Sequence, residues 1–480
     1  MMIVLLLLAI IAVILLICVI RTLMVKPEEA WYEGSTDEKR INEYVPKFQK
    51  MVQTETVSVR DHPDPEKFRK LHKVIEENFP NVFKNCEKYD IDGNLLVRFK
   101  GRNPELDPII LISHLDVVEA TGDWTYPPFG AEIHDGKMYG RGTADVKVGV
   151  FSFYQAVEEL IKEGYTPECD VYLGSSCTEE IGGDGAPKIT QWFKDRNIKL
   201  FMLSDEGGAM VSDPIPGIKA TVAAIGIFEK GYTDVKLTAR SKGGHSSTPP
   251  KNTPIARLAK MITEIENHNP FKVQFSPAVE GTFESLAPYC NSFGLKLVMC
   301  NLWLFKPIVC KIAGKISPII EAMLQTTIAF TMQKGSDGYN VIPQEAYVTA
   351  NMRVIPHQNL DESLAVIKDI ASRYDVEMEL LTGHNASKPL DLNSEPYKMT
   401  CETIKKVFPH VGIMPYVVTG GTDSKFFDPV CDHCVRFSPV NYTADQNSKM
   451  HGIDENIDIN VIPGAVDYYK ELIRLQETRK

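Results

Sequence analysis

Short apolar runs that end in polar loops alternate with helical patterns through the first half of the chain. The runs include residues 108–116, 171–176 and 200–205, and helical patterns lie at 147–163 and 186–196. This alternation is typical of βα units, so we predict an α/β domain with a mostly parallel central sheet. Because ligand sites form beyond the carboxyl ends of parallel strands, the polar residues after each run are expected to lie close together.

A different pattern begins near residue 226. Residues 229–240 and 344–356 alternate apolar and polar positions as half-buried strands do, and residues 253–268 have the spacing of an amphipathic helix. We therefore predict an α+β unit inserted into the first domain. A chain of 480 residues is too long for one ordinary core, which agrees with two domains. The predicted segments are 36–225 and 384–480 for the first domain and 226–383 for the insert.

The chain opens with an apolar segment, in which residues 2–20 carry no charge. As a helix this run would extend roughly 30 Å, about the thickness of the hydrocarbon core of a bilayer. A typical signal peptide has a basic start, a shorter apolar run and a cleavage site of small residues. Here the start lacks lysine and arginine, and the apolar run ends in ICVIRTLMV. An uncleaved transmembrane anchor over 2–24 is therefore favoured over a cleaved signal peptide.

The orientation of this anchor is open from the residues alone. Arg21 and Lys26 follow the apolar run, and the positive-inside rule would place the rest of the chain in the cytoplasm. Two glycosylation sequons, at Asn385 and Asn441, favour a lumenal or extracellular location instead. The formal net charge of -11 argues against a nucleic-acid partner, because an acidic chain does not neutralise phosphates.

Acidic and imidazole side chains follow the apolar runs. His114 and Asp116 lie two positions apart at the end of a predicted strand, so both project to the same face. A carboxylate in that position commonly orients a metal-bound imidazole, although an isolated pair of this kind is more often structural. Asp145 opens a helix in a glycine-flanked loop, where it is either a helix N-cap or a carboxylate that bridges two metal ions.

Glu179 and Glu180 are the most specific pair in the sequence. Two adjacent carboxylates after an apolar strand repel each other unless a cation compensates them. One can bind a metal ion while the other takes a proton from water, and the alternative is an exposed acidic turn. Asp205 and Glu206 repeat the pattern after the next run.

His451 lies far along the chain, in the segment MHGIDEN (450–456). It could complete a set of nitrogen and oxygen ligands from a distant part of the sequence. Such a set without cysteine suits zinc, with cobalt or manganese as substitutes. Taken together, these segments predict a metal-dependent hydrolase.

Several motifs resemble those of the M20 metallopeptidase family, which contains carboxypeptidase S, aminoacylases and succinyl-diaminopimelate desuccinylase. They are SHLDVV, GRGTADVK, DEGG, GHSSTPP, NVIP and HGIDENI, and the resemblance extends from about residue 40 to 475. It is strongest to carboxypeptidase S and the N-fatty-acyl-amino-acid synthase/hydrolase. The implied fold is a zinc-exopeptidase-like catalytic domain with an inserted lid domain that usually also mediates homodimer formation.

The resemblance implies two zinc ions held by these candidate residues. His114 and Glu180 would bind opposite ions, and Asp145 would bridge them. His451 would join Glu180 on one ion. An acidic residue of the SDEGG segment would join His114 on the other.

Within that segment, Asp205 and Glu206 are both candidate ligands, because members of the family differ on which carboxylate binds. Asp116 would orient His114 rather than bind metal. Glu179 would be the general base of the reaction.

The resemblance also implies substrate-binding residues outside the metal ligands. In the inserted domain, His245 would help to stabilise the tetrahedral oxyanion. Asn340 and Arg353 would hold the substrate, and Arg353 would pair with its carboxylate. Gly421 and Thr422 match a loop that offers backbone N–H groups to the same carboxylate.

The implied reaction is hydrolysis of an amide bond to an amino acid with a free carboxylate. The acyl side stays open between N-acyl amino acids, with possible reverse condensation, and short peptides. Residues 295–314 are unusually apolar and could pack against a partner, line an acyl-chain site or touch the membrane. The alternative function is a catalytically inactive, membrane-anchored dimeric binding protein.

The resemblance also bears on localisation. The most similar family members are vacuolar or secreted, which implies a lumenal or extracellular catalytic domain for this chain. The protein would be secreted if the segment 2–24 were cleaved.

Overall fold

The computed structural model describes residues 2–60 and 62–479. Two sheets of different size, each with helices packed on it, account for most of the chain. The α-helices in these residues span Met2–Met24, Glu38–Gln53, Pro65–Asn78, Pro80–Asn85, Val148–Lys162, Gly185–Lys194, Pro254–Asn267, Pro277–Leu286, Phe293–Cys300, Leu302–Ile316, Pro318–Leu324, Leu360–Arg373, Glu395–Val407, Ala444–Lys449 and Ile462–Leu475.

The larger sheet is mixed, whereas the sequence predicted a mostly parallel one. One antiparallel pair is a hairpin closed by the tight turn Asp92-Gly93, where both residues have positive φ, and strand Asn94–Phe99 then runs antiparallel to Val171–Ser175. The central strands, which follow helical crossovers, are parallel. In spatial order the strands are Glu87–Ile91, Asn94–Phe99, Val171–Ser175, Ile109–Ile112, Met202–Asp205, Cys434–Arg436, Thr221–Glu229, Met210–Ser212 and Asn441–Tyr442, with Gly412–Val418 also paired to Thr221–Glu229.

Both faces of this sheet are buried. Along the strand Ile109–Ile112, Ile109 and Leu111 belong to one hydrophobic cluster, while Ile110 and Ile112 belong to another. This division follows the two-residue period of a strand, and continuous apolar runs are typical of strands covered on both sides. The α/β class predicted from the sequence is therefore confirmed.

The smaller sheet is antiparallel and has a core of its own. Val235 and Leu237 of the sheet pack with Met261 and Ile367 of two helices in a separate hydrophobic cluster. In order, its strands are Thr327–Lys334, Glu345–Val354, Gly231–Arg240 and Val376–Gly383. Two short sheets complete the fold, one of Gly244–His245 and Val341–Ile342, the other of Asn456–Asp458, Lys137–Tyr139 and Glu132–His134.

The helices between residues 277 and 324 do not join the smaller core. Phe283, Met299 and Val309 belong to the hydrophobic cluster of the larger sheet. Part of the segment expected to form the insert therefore packs on the first domain. The role of the insert as a lid stays a prediction.

The first helix, Met2–Met24, is long and apolar enough to cross a membrane, and only 6% of its most apolar window is buried. In the described residues, one further candidate is a bent pair of helices, Phe293–Cys300 and Leu302–Ile316. A signal sequence satisfies the same criteria of length and composition as a membrane anchor.

Candidate metal centre

Three neighbouring strands deliver the acidic and imidazole side chains to one edge of the larger sheet. Ile109–Ile112 lies between Val171–Ser175 and Met202–Asp205, and all three run parallel. His114 follows the first strand, and Glu179 and Glu180 follow the second. Because parallel strands end at the same edge, residues that are distant in sequence become neighbours there.

Asp145 lies between two imidazoles. Its Oδ1 is 3.3 Å from Nε2 of His114, and its Oδ2 is 2.8 Å from Nε2 of His451. The His451 Nε2 atom also lies 3.1 Å from Oε2 of Glu180. His451 adopts a left-handed backbone with φ of 61° in a tight turn. The two oxygens of one carboxylate thus face two separate groups of donor atoms.

Glu206, rather than Asp205, faces the cluster. The Glu206 Oε1 atom lies 3.3 Å from His114 Nε2, and ligand atoms of His114, Glu179 and Glu206 come within 4.8 Å of one another. Asp205 is buried and accepts hydrogen bonds from the backbone N–H groups of Glu206 and Ser424. Strand alternation explains the difference, because adjacent residues at a strand end project to opposite sides.

Asp116 holds the His114 ring and the backbone of Glu179 and Glu180 through hydrogen bonds. The His114 Nδ1–H donates to the Asp116 backbone carbonyl at 2.8 Å, so Nε2 faces the other donor atoms. The Asp116 carboxylate is 3.6 Å from the same ring nitrogen and accepts the backbone N–H groups of Glu179 and Glu180, each at 3.1 Å. Burial raises the pKa of Asp116 to about 6.

Glu455 supports the Asp145 loop, although sequence reasoning did not single it out. Its Oε1 accepts backbone N–H groups of Gly142, Ala144 and Asp145 at 2.8–3.1 Å. Its Oε2 pairs with Arg141 at 2.6 Å, and both side chains are buried. The signal was present, since Glu455 lies within the segment MHGIDEN beside His451.

A second buried network holds the loop that contains Gly421 and Thr422. Glu229 accepts hydrogen bonds from the backbone N–H and hydroxyl of Thr422 at 2.7 and 2.9 Å. It also pairs with Arg436 at 2.6 Å, where the side chains are 1% and 0% exposed. This network uses both the backbone N–H and the hydroxyl of Thr422, so the Gly421 N–H is the one of the two that stays a candidate for holding a substrate carboxylate.

The pKa values of the cluster reflect how much negative charge it buries. Burial raises the pKa of Glu179 well above its usual range and that of Glu206 to about 7. Burial opposes ionisation of Asp145 as well, but hydrogen bonds from His114 and His451 outweigh it and lower its pKa. Burial lowers the pKa of His114, yet the neighbouring carboxylates raise it well above its usual value. Hydrogen bonds to carboxylates raise the pKa of His451 to about 10.

The donor set fits a divalent metal ion. Within residues 2–60 and 62–479, no lysine or arginine forms an ion pair with Asp145, Glu180 or Glu206. In the same residues the buried Oε1 atom of Glu180 has no hydrogen-bond partner. Buried carboxylate oxygens without partners are costly, and a cation removes that cost. Imidazole nitrogen and carboxylate oxygen are ligands that zinc accepts.

The substrate-binding candidates of the insert lie apart from this cluster. His245 is exposed. Its Nδ1 lies 2.8 Å from the hydroxyl oxygen of Ser247 and 3.1 Å from the backbone nitrogen of Ser247. The carbonyl of Asn340 accepts the N–H of Ser246, which places Asn340 beside His245. Arg353 lies over the ring of Tyr232, with 4.8 Å from guanidinium carbon to ring centroid. The structure brings His245 and Asn340 together but shows no contact of either with the acidic cluster.

A mixed α/β sheet with imidazoles and carboxylates converging at its edge is the arrangement of a metal-dependent hydrolase. The model of Peptidase family M20/M25/M40 matches residues 110–475, and the chain belongs to this family of metallopeptidases. The resemblance seen in the sequence motifs is therefore confirmed.

Curated relatives match most of the chain. Probable carboxypeptidase S-like 2 of Dictyostelium discoideum is 32% identical over 428 residues, covering 87% of this chain and 81% of that protein. N-fatty-acyl-amino acid synthase/hydrolase PM20D1 of Xenopus tropicalis is 33% identical over 451 residues, covering 92% and 87%.

Solved structures share the fold. The M20 family metallo-carboxypeptidase Sso-CP2 from Sulfolobus solfataricus aligns with a TM-score of 0.67 at 19% identity, covering 91% of this chain and 99% of that one. Human carnosine dipeptidase 1 aligns with a TM-score of 0.63 at 16% identity, covering 92% and 97%.

Proposed function

We propose that this chain is a di-zinc hydrolase that cleaves the amide bond of N-acyl amino acids whose carboxylate is free. The observation that carries the proposal is the position of Asp145, whose two oxygens face His114 on one side and His451 on the other. A single buried carboxylate between two separate donor groups is suited to bridging two cations. A membrane-anchored binding protein without activity has no comparable need for this cluster.

The chain offers a complete set of ligands to each ion. Asp145 would be shared by both sites. His451 and Glu180 would hold one ion, and His114 and Glu206 would hold the other. Asp205 is committed to backbone N–H groups, so Glu206 is the proposed ligand of the SDEGG segment.

Glu179 is the proposed general base. When bound, the zinc ions would lower the pKa of a water molecule and polarise the scissile carbonyl. Glu179 lies with His114 and Glu206 in the cluster, and the ligand sets proposed for the two ions do not include it. It would take the proton from the attacking water and deliver it to the leaving amine nitrogen. Asp116 would keep His114 in the required tautomer through its backbone carbonyl.

The insert would supply the groups that hold the substrate. Arg353 is proposed to pair with the free carboxylate, together with the backbone N–H group of Gly421, since that of Thr422 already donates to Glu229. His245 and Asn340 would approach the scissile carbonyl, with His245 stabilising the oxyanion. Because these residues are not in contact with the cluster, we propose that lid movement or homodimer formation through the insert completes the site.

The acyl group is the next level of the proposal. Relatives named as N-fatty-acyl-amino acid synthase/hydrolase support N-acyl amino acids, with condensation as the reverse reaction, and a carboxypeptidase S-like relative supports short peptides. The test is the specificity constant for N-oleoyl-phenylalanine, N-acetyl-phenylalanine and alanyl-phenylalanine, which share one leaving group. We expect the oleoyl compound to be hydrolysed best. A preference for the dipeptide would favour a carboxypeptidase instead.

We also propose that Met2–Met24 anchors the protein with its catalytic domain on the lumenal or extracellular side. The helix has the length and composition of a membrane span, and the sequon residue Asn385 is exposed. Protease treatment of intact microsomes should leave the catalytic domain protected, and glycosidase treatment should lower its apparent mass. Digestion of the domain in sealed microsomes would indicate the opposite orientation.

A further inference from the structure

Two helices outside the metal centre expose a cluster of large apolar side chains. They are Phe293–Cys300 and Leu302–Ile316, bent by 111° at their junction, and are called here the surface helix pair. Large side chains of this pair and of the next helix are 39–55% exposed: Phe293, Trp303, Ile308, Ile312, Ile316 and Ile319. Six large apolar side chains within 27 positions are therefore exposed, and exposing so much apolar surface to water is unfavourable.

The surface helix pair is bonded to the end of the apolar helix Met2–Met24. The buried Asn301 donates its side-chain N–H groups to the carbonyl of Cys18 at 3.1 Å and to the hydroxyl of Thr22 at 3.2 Å. The Lys296 ammonium donates to the carbonyl of Val25 at 2.8 Å. These bonds place the pair beside the last two turns of Met2–Met24, where a membrane-spanning helix leaves the hydrocarbon core.

The charge of the surface helix pair also matches a lipid surface. Residues 293–316 contain four lysines and no aspartate or glutamate, in a chain whose net charge is -11. Of these lysines, Lys296 is buried and Lys306 forms an ion pair with Glu280. Lys311 and Lys315 are exposed on the same helix as Ile308 and Ile312. Lysines interspersed with isoleucine and tryptophan are typical of helices that lie in the headgroup region of a bilayer.

We propose that the surface helix pair lies in the headgroup region of the same bilayer that holds Met2–Met24, with its exposed apolar side chains in contact with lipid. The inference rests on the proposed membrane anchor and adds a second attachment. A single anchor leaves a domain free to swing about the end of its helix. A second contact holds the domain in one orientation against the membrane surface.

The test uses the full chain in vesicles of phosphatidylcholine and phosphatidylserine, washed at alkaline pH. The photoreactive residue benzoylphenylalanine replaces Ile308 in one variant and Ile255 in a second. The two positions are matched, at 55% and 52% exposed, but Ile255 lies on the smaller sheet's helix Pro254–Asn267. After irradiation, mass spectrometry should find a phospholipid adduct on the first variant at least tenfold above that on the second.

Four results would overturn the inference. Equal lipid labelling at both positions would show that contact is not specific to the surface helix pair. Covalent linkage of Ile308 variants to a second chain would identify this patch as a contact between copies. Release of the chain by the alkaline wash would reject the membrane anchor itself, whereas a retained chain without an adduct at 308 would reject this inference alone.

Discussion

The proposed metal-binding side and the proposed substrate-binding side of this protein are built in opposite ways. His114 is 2% exposed, and hydrogen bonds and ion pairs from three carboxylate residues fix its ring. His245 lies on a two-residue strand and is exposed, and among the residues that the structure describes its imidazole forms hydrogen bonds only with the neighbouring Ser247. The first region is assembled by the core of the larger sheet. We propose that the second is completed only by lid movement or by a second copy of the chain.

This difference has a physical origin. Carboxylates buried side by side must be held by N–H donors or cations, so Asp116 and Glu455 each accept several backbone N–H groups. Exposed groups such as His245 are already solvated and need no such support. The metal centre therefore is expected to tolerate few substitutions, while the substrate side can adapt to different acyl groups.

The largest effect is expected when one proposed metal ligand, Glu206, is replaced. Glu206→Gln should weaken the binding of one metal ion by more than the roughly 10–100-fold that loss of a supporting residue costs. Turnover should fall with it. The measurement is metal content per chain by mass spectrometry after dialysis, together with turnover at added zinc.

The adjacent acid provides a matched control. Asp205→Asn keeps an oxygen that can accept a backbone N–H group, and burial already raises the pKa of Asp205 well above its usual range. This variant should retain both metal ions. If Asp205→Asn lost metal while Glu206→Gln kept it, the assignment of the two residues would be reversed.

A smaller effect is expected on the substrate side. His245→Ala should lower kcat by about 10²–10³-fold, as removal of an oxyanion donor does, and leave metal content unchanged. A second experiment distinguishes whether His245 acts within its own chain or on the metal centre of a second copy. Mixing His245→Ala with an inactive Glu179→Ala chain should restore some activity if the histidine acts across a dimer, and none if it acts within one chain.

The smallest effect concerns the buried imidazole of His72, for which the nearby carboxylates of Asp90 and Glu76 do not offset the effect of burial on the pKa. The ring nitrogens of His72 have no hydrogen-bond partner within the described part of the chain, and burial lowers its pKa to about 4. Unfolded chains then bind the proton more readily, so this group's contribution to stability is lost as the pH falls from about 6.5 to 4. The contribution is about 3 kcal/mol at most.

His72→Leu should therefore flatten the acid side of the stability profile. The measurement is urea unfolding between pH 4 and 7, with the exposed His268→Leu as control. The control should keep the wild-type slope. An unchanged slope in His72→Leu would mean that burial does not lower the pKa of His72 in the fold, and would contradict this prediction.

Sequence reasoning predicted the α/β class because apolar runs buried on both faces have a clear pattern. It also selected the residues that converge, since polar residues after parallel strands must share an edge. It left Asp205 and Glu206 undecided, because only the direction of each side chain separates them. It missed Glu455 and Glu229, whose partners are backbone N–H groups and arginines distant in sequence. Such contacts have no local pattern.

The most direct test of the account is Glu179→Ala, measured for turnover of an N-acyl amino acid and for bound metal in the same preparation. The proposed roles separate Glu179, which moves protons, from Glu180, which binds metal. The account predicts two zinc ions per chain, as in the unmodified protein, and a loss of kcat of about 10²–10⁴-fold. Activity near that of the unmodified protein, or loss of zinc together with activity, would contradict it.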